Sequence, residues 1–221
     1  MKQKIILDLC GGSGSWSDPY KKAGYRVENI TLPDFDILLT TFEDGLIYFR
    51  DGKGTSLIIN PKEVYGILAA PPCTEFSIAR NYKFKRDLPK GMEVVDACLK
   101  IIEACKPVFY AIENPVGKLK DFLGEETWSF QPWEFGDPWT KRTLLWGNFY
   151  VPIGKYHNWE DVPKIKGLYV RPGRKTASIA FNHLGHKKLI KQLDPFTATD
   201  DASFRAITPP GFAKAFYEAN K

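Results

Sequence analysis

Lys4-Ile5-Ile6-Leu7-Asp8-Leu9-Cys10-Gly11-Gly12-Ser13-Gly14 is the stretch that decides the fold. An unbroken run of Ile and Leu up to Asp8 reads as a strand buried on both faces, and the glycines break it into a turn. A helix from about Ser17 to Ala23 and a strand from Tyr25 to Leu32, closed by Pro33-Asp34, extend the unit. Two more apolar strands end as abruptly: Val64 to Ala70 at Pro71-Pro72, and Phe109 to Ile112 at Glu113-Asn114-Pro115. Between them, Gly91 to Cys105 carries Val94, Val95, Cys98, Ile101 and Ile102 at helical spacing. Strands alternating with helices predict an α/β fold with a mostly parallel sheet and helices on both faces. In such a sheet the ligand site lies beyond the carboxyl ends of the strands, where all three of these turns fall.

Working outward, Gly45 to Ile59 alternates around Asp51-Gly52-Lys53-Gly54 and predicts an inserted hairpin. Thr143 to Phe149 supplies a further strand, and Pro210 to Asn220 a closing helix. The chain has 221 residues, enough for one good-sized core with a small appendage. With 26% charged and 43% hydrophobic residues it has the composition of a globular protein, not a disordered or fibrous one. The predicted division is 1–150 as a catalytic domain, 151–200 as a small inserted region and 201–221 as a helix returning to the first. Cys10, Cys73, Cys98 and Cys105 have neither zinc-knuckle spacing nor the look of a disulfide framework, so no metal is expected and the thiols read as reduced. The apolar run after Met1-Lys2-Gln3-Lys4 is too short for a signal peptide or membrane span, so a cytoplasmic protein with no membrane association is expected.

Net charge is +5, and most of the excess sits between Val151 and Leu193. That segment holds Lys155, Lys164, Lys166, Arg171, Arg174 and Lys175, then Lys187, Lys188 and Lys191, against only Glu160 and Asp161. Tyr156, Trp159, Tyr169 and Phe181 are interleaved with these cations, a mixture suited to phosphate contact and base stacking. A solvated, loop-rich surface has the same composition.

Asp8-Leu9-Cys10-Gly11-Gly12-Ser13-Gly14 places glycines where a ligand's polar tail can approach the backbone and meet helix-terminal amides. The spacing is not that of a dinucleotide fingerprint, which disfavours NAD. Ala70-Pro71-Pro72-Cys73-Thr74-Glu75-Phe76-Ser77 fixes a thiol on a stiff elbow beyond a buried strand. Glu113, at the end of the next predicted strand, brings a carboxyl group alongside. A thiol and an acid facing one pocket is what nucleophilic attack with proton delivery requires. Taken singly, Cys73 also reads as an inert core thiol and Glu113 as a turn residue.

Pro71-Pro72-Cys73-x-x-Phe76-Ser77 together with Glu113-Asn114-Pro115, the glycine-rich first motif and Arg205-Ala206-Ile207-Thr208-Pro209 resembles the cytosine-5 DNA methyltransferase family, from about Ile5 to Phe216. The resemblance implies a Rossmann-like class I methyltransferase sheet with an inserted recognition region, S-adenosylmethionine as cofactor and DNA as partner. It implies that Cys73 adds to carbon 6 of a flipped-out cytosine and that Glu113 serves N3 while carbon 5 takes the methyl group. For the cofactor it implies Asp8, Cys10, Gly11, Gly12, Ser13, Gly14 and Pro71, with Asp36-Ile37 matching an adenine-contacting Asp-Ile pair. For nucleic acid it implies Ser77, Arg80 and Arg205, with the cations Lys164, Lys166, Arg171, Arg174, Lys175, Lys187 and Lys188 of the basic segment. Compact enzymes of this type resemble those of bacteriophages and are expected to act as monomers.

The chain departs from the family pattern in two places. After Gly136-Asp137-Pro138 the family has Gln-x-Arg-x-Arg, whereas this chain has Trp139-Thr140-Lys141-Arg142-Thr143. Lys141 stands at the first arginine, and Arg142 is one step out of register, which on a strand reverses the face; both are candidate catalytic cations. Leu32 occupies the position of the ribose-binding acid, leaving Asp34 as the nearest carboxylate. The short recognition region predicts a short target sequence or low specificity, since each good base contact contributes only about 1 to 3 kcal/mol of discrimination. Two other readings stay open: cysteine-dependent C5 modification of cytosine in RNA or of a free pyrimidine nucleotide, and an inactive DNA-binding relative. Amino-group methyltransferases typically carry an aromatic residue after Pro-Pro, so Cys73 argues against them.

Overall fold

The computed structural model describes residues 3–54, 56–78, 85–179, 196, 198 and 200–221. Its larger sheet has six strands: β1 (Ile5–Leu9), β2 (Arg26–Ile30), β6 (Val64–Ala69), β7 (Phe109–Pro115), β8 (Trp128–Phe130) and β9 (Thr143–Asn148), in the order β2-β1-β6-β7-β9-β8. β1 pairs in parallel with β2 and β6, and β6 with β7. β9 is antiparallel to both β7 and β8. The part of the sheet bearing the three loaded turns is therefore parallel as expected. The far end is not, and the architecture is a mixed α/β sheet, broadly compatible with a class I methyltransferase-like fold.

Alternation along the strands sorts the core into two layers. Ile5, Leu7 and Leu9 face helix α2 (Leu88–Cys105), whose Val95, Cys98, Ile101 and Ile102 fill the layer with Ile67 and Ile112. Ile6, Leu68, Ala111 and Leu145 point to the opposite side. There they meet Tyr20 of α1 (Asp18–Lys22) and Phe212 and Phe216 of α5 (Pro210–Ala219). Helices thus cover both faces. α2 begins where Asp87 accepts a hydrogen bond from the Lys90 amide at 3.1 Å, three residues before the glycine taken as its start. It ends at Lys106, which adopts a left-handed conformation.

The expected hairpin forms as β4 (Leu46–Arg50) and β5 (Ser56–Ile59), and a strand not anticipated from sequence, β3 (Asp36–Glu43), joins it to make a three-stranded antiparallel sheet. Ile37, Ile47, Phe49 and Ile59 bury this small sheet against the α2 layer. Two short α-helices, α3 (Lys120–Leu123) and α4 (Asp201–Ala206), and 3-10 turns at Pro61–Glu63, Pro132–Phe135 and Trp159–Asp161 complete the described elements. A third, smaller core gathers Trp139, Leu168, Ala177, Ile179, Phe204 and Ile207, so the basic segment packs on α4 and on the chain just before β9. Among the described residues no helix is long and apolar enough to cross a membrane.

Candidate active site

The glycine turn leaves β1 with Cys10 at φ +57°, Gly12 at +53° and Gly14 at +70°. Gly11 is required for another reason. A Cβ there would lie 2.3 Å from the carboxyl carbon of Asp8, which sits directly beneath it. Asp8 is fully buried and accepts a 2.5 Å hydrogen bond from the Ser17 hydroxyl, yet burial still pushes its carboxyl up to about 6. From β2, Asn29 donates to the Gly12 carbonyl at 3.1 Å, and the Gly12 amide donates to Thr31 at 3.3 Å. Asp8 Oδ1 and Asn29 Oδ1, paired positions on adjacent strands, are buried acceptors without a partner among the described residues. A turn with spare buried acceptors and open space over Gly12 fits the amino-acid end of S-adenosylmethionine.

The remaining cofactor candidates divide. Pro71 is buried and Ser13 and Asp34 are exposed. Asp36 accepts from the Leu38 amide at 3.0 Å at the start of β3. Ile37 is 5% exposed and packs into the α2 core. Leu32, in place of an acid, is 70% exposed.

Beyond β6, the Cys73 loop is joined to the end of β7 and to the turn that follows it. Asn114, fully buried, donates through Nδ2 to the Pro71 carbonyl at 2.9 Å. The Ile78 amide donates to the Val116 carbonyl at 3.2 Å, and the Lys118 amide to the Phe76 carbonyl at 2.9 Å. Gly117 permits this approach, because a Cβ there would be 2.2 Å from the Phe76 oxygen. Arg86 clasps the same stretch, donating to the carbonyls of Glu75 at 2.7 Å and Ser77 at 2.8 Å. Phe76 anchors the loop in the core while Cys73, three residues earlier, is exposed. A turn follows the thiol, with the amides of Phe76 and Ser77 both donating to the Cys73 carbonyl.

Glu113 and Lys141 stand together, Nζ to Oε1 at 3.9 Å, both largely shielded from solvent. Burial raises the Glu113 carboxyl above the usual range and Lys141 opposes the rise. The Cys73 thiol is also raised, first by desolvation and then by Glu113, with Lys141 and Arg205 acting the other way. Thiol, acid and two cations are thus electrostatically coupled at the carboxyl edge of the sheet. Arg142, also just before β9, has other partners. It donates to the Ser129 hydroxyl at 3.3 Å and lies 3.8 Å from Glu126.

Among the candidate nucleic-acid residues, Ser77 is buried in the stapled loop and Arg205 is half-buried on α4. Lys164 is engaged locally, donating to the Trp159 and Val162 carbonyls and lying 4.2 Å from the Trp159 ring centroid. Lys166 is exposed. Arg171, Arg174 and Lys175 crowd the exposed tip of a hairpin closed by the Val170–Ala177 bridge and by the Ser178 amide donating to the Tyr169 carbonyl at 2.9 Å. Arg80, Lys187 and Lys188 lie outside the described residues. Two supporting residues escaped the sequence reading. Asp137 is buried and accepts from the Gly211 and Phe212 amides at the start of α5. Ser15 accepts from the Thr208 amide at 2.8 Å, joining the glycine turn to the segment after α4.

Fold and site define a mixed α/β protein with a glycine turn, a thiol and a carboxyl–ammonium pair along one sheet edge. No family model matches the chain. Over an alignment of 147 positions the chain is 26% identical to the type II methyltransferase M.DdeI of Desulfomicrobium norvegicum, the match covering 55% of this chain and 32% of that protein. The chain thus spans about a third of that relative's length. An E. coli structure described as a candidate DNA modification methyltransferase encoded within a prophage overlaps with a TM-score of 0.44 and 16% identity, over 66% of this chain and 47% of that one.

Proposed function

We propose that the chain is a DNA cytosine-5 methyltransferase, in which Cys73 is the nucleophile, Glu113 the acid and Lys141 the cation beside it. The observation that carries the reading is that the Cys73 loop is hydrogen-bonded to the end of β7, where Glu113 stands 3.9 Å from Lys141, at the same sheet edge as the glycine turn. In this reading residues 1–150 form the catalytic domain, 151–200 the target-recognition region and 201–221 the returning helix. The strand arrangement is taken as a class I methyltransferase sheet in which β3–β5 are an insertion.

The cofactor end is assigned to Asp8, Cys10, Gly11, Gly12, Ser13 and Gly14, with Pro71, Asp34, Asp36 and Ile37 on the adenosine side. Bound there, S-adenosylmethionine supplies an electrophilic methyl group. The chain's own residues prepare the acceptor. Cys73 loses its proton to solvent and adds to carbon 6, and the π electrons move to carbon 5. Lys141 and Arg205 favour the thiolate this requires. Glu113, its carboxyl raised by burial, delivers a proton to N3 as density builds on the ring. After methylation the carbon 5 proton leaves to solvent base, the C6–S bond breaks and N3 returns its proton to Glu113. A cytosine reaches these groups only outside the base stack. The hairpin cations Arg171, Arg174 and Lys175 are assigned to the phosphate backbone, with Arg205 beside the target.

Duplex DNA containing 5-fluorocytosine, which cannot lose its carbon 5 substituent as a proton, tests the reading directly. With cofactor, the wild-type protein is expected to gain the mass of the oligonucleotide covalently, and Cys73→Ser is not. Absence of adduct in the wild type, or equal trapping by Cys73→Ser, removes the proposal. Parallel arms with RNA and with dCMP decide the acceptor.

A further inference from the structure

The segment between Asp137 and β9 is held from three directions. The Lys141 amide donates to Gln131 Oε1 at 3.1 Å, and its carbonyl accepts from the Thr143 hydroxyl at 2.9 Å. Thr143 begins β9, and Gln131 directly follows β8. The third tie runs the other way. Thr140 donates to the Ala177 carbonyl twice, from its amide at 2.8 Å and from its hydroxyl at 2.9 Å, filling both lone pairs of one oxygen. Ala177 is at the root of the hairpin that carries Arg171, Arg174 and Lys175, and Ser178 makes a bridge to Thr140. Trp139, chain neighbour of Thr140, shares the small core with Ala177, Ile179 and Phe204. The basic hairpin is therefore fastened one residue before the lysine that faces Glu113.

We propose that Thr140 is a positioning residue that couples nucleic-acid contact at the hairpin tip to the placement of Lys141 against Glu113. This rests on the cytosine-5 reading above and deepens it. A load applied at the Arg171–Lys175 tip passes through Ala177 into the main chain at Thr140. A displacement there re-aims the Lys141 side chain, whose ammonium is 3.9 Å from the acid. The hydroxyl is the part of this link that a side-chain change removes.

The test measures duplex affinity by anisotropy and, separately, the single-turnover rate of 5-fluorocytosine adduct formation at saturating duplex and cofactor. Thr140→Val keeps the shape and the amide bond but loses the hydroxyl bond. It is expected to slow adduct formation by about three- to tenfold while duplex affinity stays within roughly twofold of wild type. Thr140→Ser restores the rate. On a background of Arg171→Ala, Arg174→Ala and Lys175→Ala, the Thr140→Val effect on the saturated rate shrinks, because the tip no longer bears on the root. The proposal is overturned by a wild-type rate in Thr140→Val, by an equal loss on both backgrounds, or by weakened duplex binding at an unchanged rate. Wild-type protein that forms no adduct overturns the parent reading and this one with it. Wild-type trapping with an unaffected Thr140→Val overturns this one alone.

Discussion

The paired segments bearing Cys73 and Glu113 and the hairpin bearing Arg171 and Arg174 are built on opposite plans. The Cys73 loop leaves β6 and is tied to the end of the adjacent parallel β7 and the turn after it by Asn114, Ile78 and Lys118, over a layer that includes the buried Phe76. The hairpin stands on a core of a few side chains and holds its cations at an exposed tip. One plan fixes atoms that must meet a ring at bonding distance. The other presents charge to a partner whose phosphates repeat, so tolerance there is larger. Chemistry calls for precise placement on rigid elements, whereas phosphate contact acts at longer range and is screened by salt.

The largest effect on that contrast is expected from the sheet side. Gly11→Ala drives a Cβ into the Asp8 carboxyl, so the turn must shift. Cofactor binding measured by calorimetry is expected to be lost. The folded protein is destabilised by about 1 to 3 kcal/mol in denaturant unfolding. Binding that survives unchanged separates the turn from the cofactor. On the hairpin, replacing Arg171, Arg174 and Lys175 together by Ala is expected to leave stability within about 0.5 kcal/mol and to weaken duplex binding. The slope of log affinity against log salt falls by about one for each phosphate contact removed. An unchanged salt slope removes these residues from the interface.

The smallest effect concerns pH. Burial pushes the Asp137 carboxyl up to about 7, against the lowering effect of the Phe212 and Gly211 amides. The native state then holds a proton that the unfolded chain releases near 3.8. Between these values the native state binds more protons, so stability falls as pH rises through the window and levels off above it. Asp8, raised to about 6, adds a term of the same sign. Asp137→Asn keeps an acceptor for α5, and melting temperatures from about pH 5 to about pH 8 are expected to vary less in this variant than in wild type.

Much of the frame was legible because it is local. Unbroken apolar runs stopped by glycine or proline mark β1, β6 and β7, and helical spacing marks α2. Lys141 and Arg142 both precede β9, so the strand rule used on them does not apply, and the structure puts their side chains beside Glu113 and Glu126 respectively. What escaped depends on distant partners. β3 carries no clean alternation, and pairing with β4 and burial against α2 hold it. The Asn114–Pro71 bond spans 43 residues, the Thr140–Ala177 bond 37 and the Gly211–Asp137 bond 74. Nothing in the neighbourhood of each residue announces its partner.

The bonds that sew the Cys73 loop to the end of β7 make sulfur and carboxyl parts of a single solid body. Strain along the sheet shifts them together, so admitting a bulky flat ring cannot be achieved by prising sulfur and carboxyl apart. Any opening has to come from the facing wall, where Arg205 and the Thr140–Ala177 junction are supported by the small core. Ile78 and Lys118 amides should then exchange with deuterium as one slow group, whether or not a ligand is present.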